Sequence, residues 1–289
     1  MQLGFWRHNK ASGAVEALAE KYTNFKGFLP FYAGDKLSDS GIRKSIKEKI
    51  PENHKGLVLG NFDEKRTYGL VRPPSRKEDI LYWINFWKIF REERPDCKLV
   101  NYAMPGLPYW DGKDGYDKKI DYVMNYNAEG IPHWVLWQVI DGASISVYDP
   151  YDTNKIKFTG PQIKKRNAAY IKLLEKHFRG RPKVVNFWHR YSNGPDKFKL
   201  IPFEELWEEQ IVDFIGLNDE YILAAWGILM DNFFRNFKRE KELFRKNTEQ
   251  EHKDAGVDIN NASECDAFYK NQFLNLCKKI SDKSKLLKG

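Results

Sequence analysis

Short apolar runs alternate with longer stretches of helical periodicity along the chain, and this alternation restricts the possible folds more than any other feature. Runs rich in β-branched and aromatic residues are typical of strands, and apolar residues at every third or fourth position are typical of helices. Seven strands are predicted, at residues 3–7, 27–32, 56–62, 98–103, 143–148, 183–188 and 221–226. Helices are predicted at residues 12–23, 38–49, 76–93, 116–140 (with breaks expected at Gly130 and Pro132), 161–178, 203–215, 229–252 and 262–280.

A strand followed by a helix, repeated seven times, predicts an α/β fold in which helices cover a parallel sheet. The strands are short and mostly apolar, as parallel strands buried on both faces should be. This spacing favours a closed (β/α) TIM-like barrel of seven or eight parallel strands, with extra C-terminal helices. A doubly wound open sheet is the alternative, but the first strand is followed by HNKASGA, which lacks a glycine-rich phosphate loop.

No Gly/Ser-rich or Pro-rich linker interrupts the chain of 289 residues. We therefore predict a single barrel domain over residues 1–289, with residues 229–289 as a C-terminal helical extension packed on it.

The composition indicates the class of partner. Nine Trp, fifteen Tyr and nineteen Phe are more rings than a core of this size normally needs, and surplus rings often line grooves that bind sugars or bases. The net charge of +8 favours an anionic partner. Much of the excess lies at 161–183 and 235–246, where it is best explained by the solvated faces of amphipathic helices.

The cysteines and the hydropathy pattern bear on the compartment. Cys97 is interpreted as a core thiol, and Cys265 and Cys277 could pair. No run of 18 apolar residues occurs, so we expect no membrane-spanning helix and no membrane partner. No signal peptide is visible, which predicts a cytoplasmic protein if the chain is full length and a secreted one if a leader has been removed.

In such barrels the active site forms at the carboxyl ends of the strands. Polar and aromatic residues lie at these ends on all seven predicted strands, a composition suited to a sugar site. They are Arg7 and His8; Tyr32 and Asp35; Asn61, Asp63 and Glu64; Asn101 and Tyr102; Ser146, Tyr148 and Asp149; Asn186, His189 and Arg190; and Trp226.

The third strand, GLVLGNF, runs into the acidic pair Asp63 and Glu64. Side chains alternate across a strand, so Asn61 and Asp63 share one face with Leu57 and Leu59. Glu64 points away unless a bulge turns it inward. A carboxyl group in an aromatic-walled pocket would have a raised pKa, as the general acid of glycoside cleavage requires.

These residues resemble the motifs of the hyaluronidases, a glycoside hydrolase family with a seven-stranded barrel. The family's Asp-x-Glu pair at the end of the third strand is matched by Asn61-Phe62-Asp63, and its next strand by VNYAMPG. A tryptophan-rich stretch is matched by HWVLWQVIDGASISVYDP, and a terminal Trp-Gly by Trp226-Gly227. The resemblance covers residues 1–230 and implies a glycan-cleaving barrel.

The departures from the family limit what the resemblance implies. The family's general acid is Glu, whereas the matching residue here is Asp63, and Asn61 replaces the partner aspartate that orients the substrate acetamide. In that family the substrate's own N-acetyl group is the nucleophile, so one enzyme acid is sufficient. A mechanism with two enzyme carboxylates would need Asp149 or Asp141 as the second.

We therefore predict a glycoside hydrolase acting on a polysaccharide that is N-acetylated or acidic, with Asp63 or Glu64 as the catalytic acid. The predicted substrate-binding residues are Asn61, Arg7, His8, Tyr102, Tyr148, Asp149, His189 and Trp226, with Arg190 a further candidate for contact with an acidic sugar. A catalytically silent glycan-binding barrel is the alternative, and a basic nucleic-acid-binding protein ranks third. The six histidines are scattered with no H-x-x-x-H pair, so we expect no metal and no cofactor.

Overall fold

The computed structural model of the protein describes residues 2–6, 25–31, 36–60, 77–102, 125, 127–147, 157–192, 194–225 and 235–287. The chain divides into two compact units. The first contains Met1–Gly27, Val147–Lys164 and Asn186–Gly289, and the second contains Phe28–Ser146 and Lys165–Val185. The single domain over residues 1–289 stays a prediction.

The described elements alternate between strands and helices, as the sequence predicts. The strands are β1 (Gln2–Trp6), β2 (Phe25–Phe31), β3 (Gly56–Gly60), β4 (Cys97–Asn101), β5 (Asn127–Ala128), β6 (Ile131–Pro132), β7 (Ala143–Ser146), β8 (Lys183–Phe187) and β9 (Tyr221–Ala225). The helices are α1 (Asp39–Lys49), α2 (Lys77–Glu93), α3 (Trp134–Val139), α4 (Gly160–His177), α5 (Phe203–Leu206, continued by a π turn and a 3₁₀ turn to Phe214), α6 (Lys241–Ala255) and α7 (Ala262–Leu286).

All seven predicted strands are present in the described residues, with small shifts at their ends. Helix α1 begins where predicted because the Ser38 hydroxyl accepts a hydrogen bond from the Gly41 N–H (3.3 Å), which caps its first turn. The predicted helices at 12–23 and over the first part of 116–140 lie outside the described residues.

The breaks expected at Gly130 and Pro132 fall within residues 127–132, but there the chain forms an antiparallel hairpin of β5 and β6, which was not predicted. Its two turn residues, Glu129 and Gly130, both have positive φ (50° and 93°), and the Asn127 side chain accepts a hydrogen bond from the Gly130 N–H (2.6 Å). Two successive left-handed residues are the geometry of the tight hairpin turn that matches strand twist.

The helix predicted over 229–252 is wrong at residues 237–240. The Lys241 and Glu240 N–H groups both donate to the Phe237 carbonyl, which closes a turn just before α6 begins at Lys241. Residues 226–234 lie outside the described residues.

In the second unit β2, β3 and β4 form a parallel sheet in the order β4-β3-β2. Phe31 is in register with Gly60, and Gly60 with Asn101, so that the carboxyl ends of the three strands are level. Helix α2 contributes Trp83, Phe86, Trp87 and Phe90 to the core, and the Trp87 indole N–H donates to the Leu99 carbonyl of β4 (3.1 Å).

A buried corner at Asp141 and Gly142 connects the end of α3 to β7. Asp141 accepts hydrogen bonds from the Leu99 N–H of β4 (2.9 Å) and from the Arg91 Nε of α2 (2.8 Å). Gly142 packs so closely on the chain before β8 that a Cβ atom there would lie 2.3 Å from the Pro182 carbonyl oxygen. No side chain larger than hydrogen fits at this position.

In the first unit β1 and β9 pair in parallel, with Leu3 opposite Leu223 and Gly4 opposite Ala224. The C-terminal helices α6 and α7 pack together through buried rings. His252 of α6 contacts the Thr248 carbonyl (2.7 Å) through Nδ1 and the Tyr269 hydroxyl of α7 (3.0 Å) through Nε2.

The three cysteines are free thiols, and all are buried. Cys265 and Cys277 both lie in α7, more than three turns apart, so their separation is about 18 Å along the helix axis. A disulfide requires Cα atoms within about 7 Å, and the suggested pairing is therefore wrong. Burial raises the pKa of Cys97 and raises that of Cys277 well above its ordinary value, which keeps both thiols protonated. No described helix is both long and apolar enough to cross a membrane.

The Asp141 corner predicts a large loss of stability on substitution. Asp141→Ala would leave the buried Leu99 N–H and the Arg91 Nε–H without their acceptor, and we expect the free energy of unfolding to fall by about 2–4 kcal/mol. Urea unfolding measures this, with Asp282→Ala as the control because Asp282 forms an exposed pair with Lys285. A loss below about 1 kcal/mol for Asp141→Ala would show that the corner is not held in this way.

His177 predicts a pH dependence of stability. Burial, together with the nearby cations Lys176 and Arg181, lowers the pKa of His177, whose ring meets the edge of Trp137. The unfolded chain therefore binds the proton more readily, and stability should decline as the pH falls below about 6.5. Urea midpoints at several pH values between 7.5 and 5 should show a shallower decline for His177→Gln than for the parent chain; equal declines would contradict the assignment.

Candidate active site at the strand ends

The predicted active-site residues fall mostly in segments that the structure does not describe. Two of the ten, Tyr102 and His189, lie within the described residues. The others lie outside them: Asp63, Glu64, Asn61, Arg7, His8, Tyr148, Asp149 and Trp226. The described strand ends lead directly into several of these residues.

In the second unit the backbone hydrogen bonding between β3 and β4 extends one residue past the end of β4. The Tyr102 N–H donates to the Gly60 carbonyl (2.8 Å), so the parallel hydrogen bonding continues past Asn101. Asn101 is 1% exposed, and its side-chain amide donates to the Tyr102 carbonyl (2.9 Å). The Tyr102 side chain itself is half-buried. Tyr102 thus has a fixed backbone next to Gly60, the residue that precedes Asn61 in the sequence.

Ser146 ends β7 in the same unit, and its hydroxyl oxygen is buried without a hydrogen-bond partner in the described part of the chain. A buried hydroxyl group without a partner is unusual, since nearly all such groups are paired. The Ser146 hydroxyl is thus a donor and an acceptor without a described partner at the end of its strand.

In the first unit the chain leaves β8 through Trp188 and His189 and folds back on itself. The Trp188 N–H donates to the Gln210 side chain (3.2 Å), and the His189 carbonyl accepts from the Ile201 N–H (2.9 Å). The His189 side chain is 5% exposed. Its predicted contact with substrate stays a prediction.

Arg190 does not have the role suggested for it, contact with an acidic sugar. Its side chain is fully buried, and it donates two parallel hydrogen bonds to the carboxylate of Glu251 in α6 (2.8 Å each). Further hydrogen bonds run to the Phe198 carbonyl (2.9 Å) and to the Gln272 side chain of α7 (3.2 Å). The guanidinium therefore ties the segment after β8 to both C-terminal helices. Glu251 lies 61 positions away, beyond the reach of any local sequence pattern.

Asp141, one of the two candidates for a second catalytic carboxylate, is also committed elsewhere, because it accepts from Leu99 and Arg91 at the corner before β7. Asp149, the other candidate, lies outside the described residues. Among the residues that the structure describes, no group of three or more His, Cys, Asp or Glu side chains could hold a metal ion.

The comparisons with known proteins bear on the fold. No protein-family model matches the chain, and no curated protein matches it in sequence. A crystal structure of bee venom hyaluronidase is similar, with a TM-score of 0.55 and 13% identity over 86% of this chain and 98% of that one. The same enzyme in complex with a hyaluronic acid tetramer gives a TM-score of 0.53 at 13% identity, over 86% of this chain and 96% of that one. At this identity the likeness shows the fold alone: an α/β fold with a parallel sheet, similar to that of a TIM-like barrel glycoside hydrolase.

The buried pair of Arg190 and Glu251 gives a prediction about the C-terminal helices. Glu251→Ala leaves the guanidinium buried without its counter-charge and should lower the free energy of unfolding by about 3–5 kcal/mol. The double variant Arg190→Met with Glu251→Leu should lose clearly less, because apolar residues of similar size can replace a buried ion pair. Urea unfolding of both variants tests this, with Glu249→Ala as a control for an exposed pair with Lys253 on the same helix. Equal losses for the single and double variants would contradict it.

Proposed function

We propose that the protein is a glycoside hydrolase whose active site lies at the carboxyl ends of its strands. The proposed substrate is an N-acetylated or acidic polysaccharide. The observation that carries the proposal is the structural likeness of 86% of the chain to bee venom hyaluronidase. The sequence of this chain also has an acid, Asp63, and an amide, Asn61, at the end of its third strand. One of the similar structures contains a hyaluronic acid tetramer, which supports a glycan as the substrate class.

The proposal includes closure of the strands into a (β/α) barrel of seven or eight strands that forms one domain. Two observations support closure. The bond from the Leu99 N–H to Asp141 brings β4 next to the start of β7 within the second unit. The similar hyaluronidase, moreover, has a TIM-like barrel.

The register at the end of β3 and β4 supports a common site for three of the predicted residues. In a parallel sheet, residues opposite each other project to the same side, so Gly60 and Asn101 share a side, and Leu59 and Val100 share the other. When the alternation of side chains continues for one more residue, the Tyr102 side chain lies on the same side as Val100. The Asn61 side chain then lies on the same side as Leu59. We infer that Asp63 follows on this side too, so that the acid, the amide and the phenol meet one substrate.

In the proposed reaction Asp63 gives its proton to the oxygen of the glycosidic bond as that bond breaks. The carbonyl oxygen of the substrate's acetamide attacks the anomeric carbon in the same step, and Asn61 holds the acetamide in place. Water then opens the cyclic intermediate and gives its proton to the Asp63 carboxylate, which restores the acid. Glu64 is the alternative acid if the strand ends in a bulge. Tyr102, Tyr148 and Trp226 would stack on the sugar, while Arg7, His8 and His189 would contact its acidic groups and Asp149 its hydroxyl groups.

A catalytically silent glycan-binding protein is the second candidate, and the replacement of the family's acid pair by Asn61 and Asp63 favours it specifically. Such a protein would keep the barrel and its rings but release no product. Binding of nucleic acid ranks third, since it rests on the net charge of +8 alone.

Activity measurements separate these functions. The chain should release reducing ends from hyaluronan or from N-acetylglucosamine oligomers, and Asp63→Asn should lower kcat by about a hundredfold or more, because the general acid is lost. Glu64→Gln should have a small effect if Asp63 is the acid; the reverse ranking of the two variants would identify Glu64.

The remaining outcomes decide between the candidates. Equal turnover by the parent chain and both variants would refute the assignment of the acid. Saturable glycan binding without turnover would identify the silent binding protein. Binding of DNA or RNA that weakens steeply with salt, without binding of glycans, would favour the third candidate.

A further inference from the structure

Helices α6 and α7 and the chain around Leu200 line an open pocket of about 550 Å³ in the first unit. Its volume lies within the range of about 300–1,000 Å³ typical of small-molecule sites. None of the residues that line it belongs to the predicted active site.

The floor of the pocket is rigid because the buried Arg190 fixes it. Glu251 and Gln272, which line the pocket, both accept hydrogen bonds from the Arg190 guanidinium. The Gln272 amide also donates to Glu251 (2.6 Å), which fixes the orientation of the amide. Polar groups that are held in place before a ligand arrives bind it at a lower cost in conformational entropy.

The walls present hydrogen-bonding groups that the protein itself does not use. Asn247, Glu251 and Asp254 lie on one face of α6, four and three residues apart. Asn247 donates to the Lys197 carbonyl (2.7 Å), and Asp254 accepts through one oxygen from Gln250 (2.7 Å). The Asn247 carbonyl oxygen and the second Asp254 oxygen accept no hydrogen bond from any described residue. The Gln272 amide has a second N–H group, which donates to no described residue.

The charges around the pocket are net negative. Lys199 pairs with Asp196 (2.9 Å) and Arg190 pairs with Glu251, whereas Asp254 forms no ion pair with any described residue, although the chain as a whole carries +8. A negative site disfavours an anion such as a phosphate or a uronate. Carboxylate and amide oxygens accept hydrogen bonds, so the ligand that fits has several hydroxyl groups.

The pocket also has an apolar side. The ring of Phe268 is half-buried against His252, and Leu200 is 38% exposed, which is high for a leucine. An aromatic ring beside acceptors and donors suits a molecule with one apolar face and a rim of hydroxyl groups. A pyranose ring has this distribution.

We propose that this pocket binds a sugar unit of a neutral glycan, at a second site separate from the strand ends. The proposal follows from the groups of the pocket itself and goes beyond hydrolysis, since the pocket contains no residue assigned to the reaction. Such a site would hold the glycan on the C-terminal helices whether or not the chain cleaves it.

The test uses the full chain with Asp63→Asn and Glu64→Gln, which prevents turnover, and chitotetraose as the neutral probe. The side-chain amide signals of Asn247 and Gln272 in an NMR titration report on this pocket and not on the strand ends. We expect both signals to shift in a saturable way with chitotetraose, and to shift much less with a hyaluronan tetrasaccharide because of its carboxylates.

Variants of the pocket separate binding from structure. Phe268→Ala should weaken the binding of chitotetraose by about tenfold, and Asp254→Ala by about threefold, whereas Glu249→Ala on the outer face of α6 should leave it unchanged. Asp254 is exposed, so its variant should fold even if Phe268→Ala does not.

Two results would overturn the proposal: amide signals that do not move with millimolar chitotetraose, or binding that is the same in Asp254→Ala as in the parent chain. Lack of hydrolysis by the unmodified chain would count against the hydrolase proposal alone, because the amide signals report binding independently of turnover.

Discussion

The parallel register of β2, β3 and β4 is the constraint on which the candidate active site depends. It brings Phe31, Gly60 and Asn101 to one level of the sheet. In the sequence Phe31 is 29 positions from Gly60, and Gly60 is 41 positions from Asn101. The Tyr102 N–H then extends the ladder to the Gly60 carbonyl, so the chain enters the Asn61–Glu64 stretch from a fixed point beside Tyr102. Backbone hydrogen bonds, and not flexible side chains, define where this stretch begins. Such rigidity is what a catalytic site needs, because small displacements of reacting groups cost large factors in rate.

A second fixed point lies after β8. The buried Arg190 binds Glu251 and Gln272, so the C-terminal helices are fastened to the segment that contains His189. The same guanidinium orders the floor of the pocket between α6 and α7. A buried ion pair contributes little to stability in comparison with apolar residues, but it holds its partners in one geometry. In this protein it also fixes Glu251, which lines the proposed sugar pocket.

Most of the fold could be predicted from the sequence, because it depends on local patterns. Alternating apolar runs identify the strands, and Ser38 identifies the start of α1. Two features could not be found in this way. Glu129 adopts a left-handed conformation that its own side chain does not favour, so the β5–β6 hairpin escaped a prediction based on helical periodicity. Arg190 looks like a strand-end site residue and Asp141 like a second catalytic carboxylate. Their partners nevertheless come from distant parts of the chain, Glu251 for Arg190 and both Arg91 and Leu99 for Asp141. Sequence spacing contains no information about such long-range pairs. For the site itself, the sequence supplied the residue types, and the described strands place the Tyr102 backbone beside Gly60, whereas Asn61 lies outside the described residues.

The central claim is that the ends of β3 and β4 form a glycan site in which Asp63 or Glu64 supplies the proton. A crystal structure of the Asp63→Asn variant with an N-acetylated oligosaccharide tests it most directly. The claim predicts a sugar ring beside Tyr102, with the side chain at position 63 or 64 within about 3 Å of a glycosidic oxygen. A sugar bound elsewhere with both side chains directed away from these strand ends, or no sugar bound at the strand ends, would contradict it.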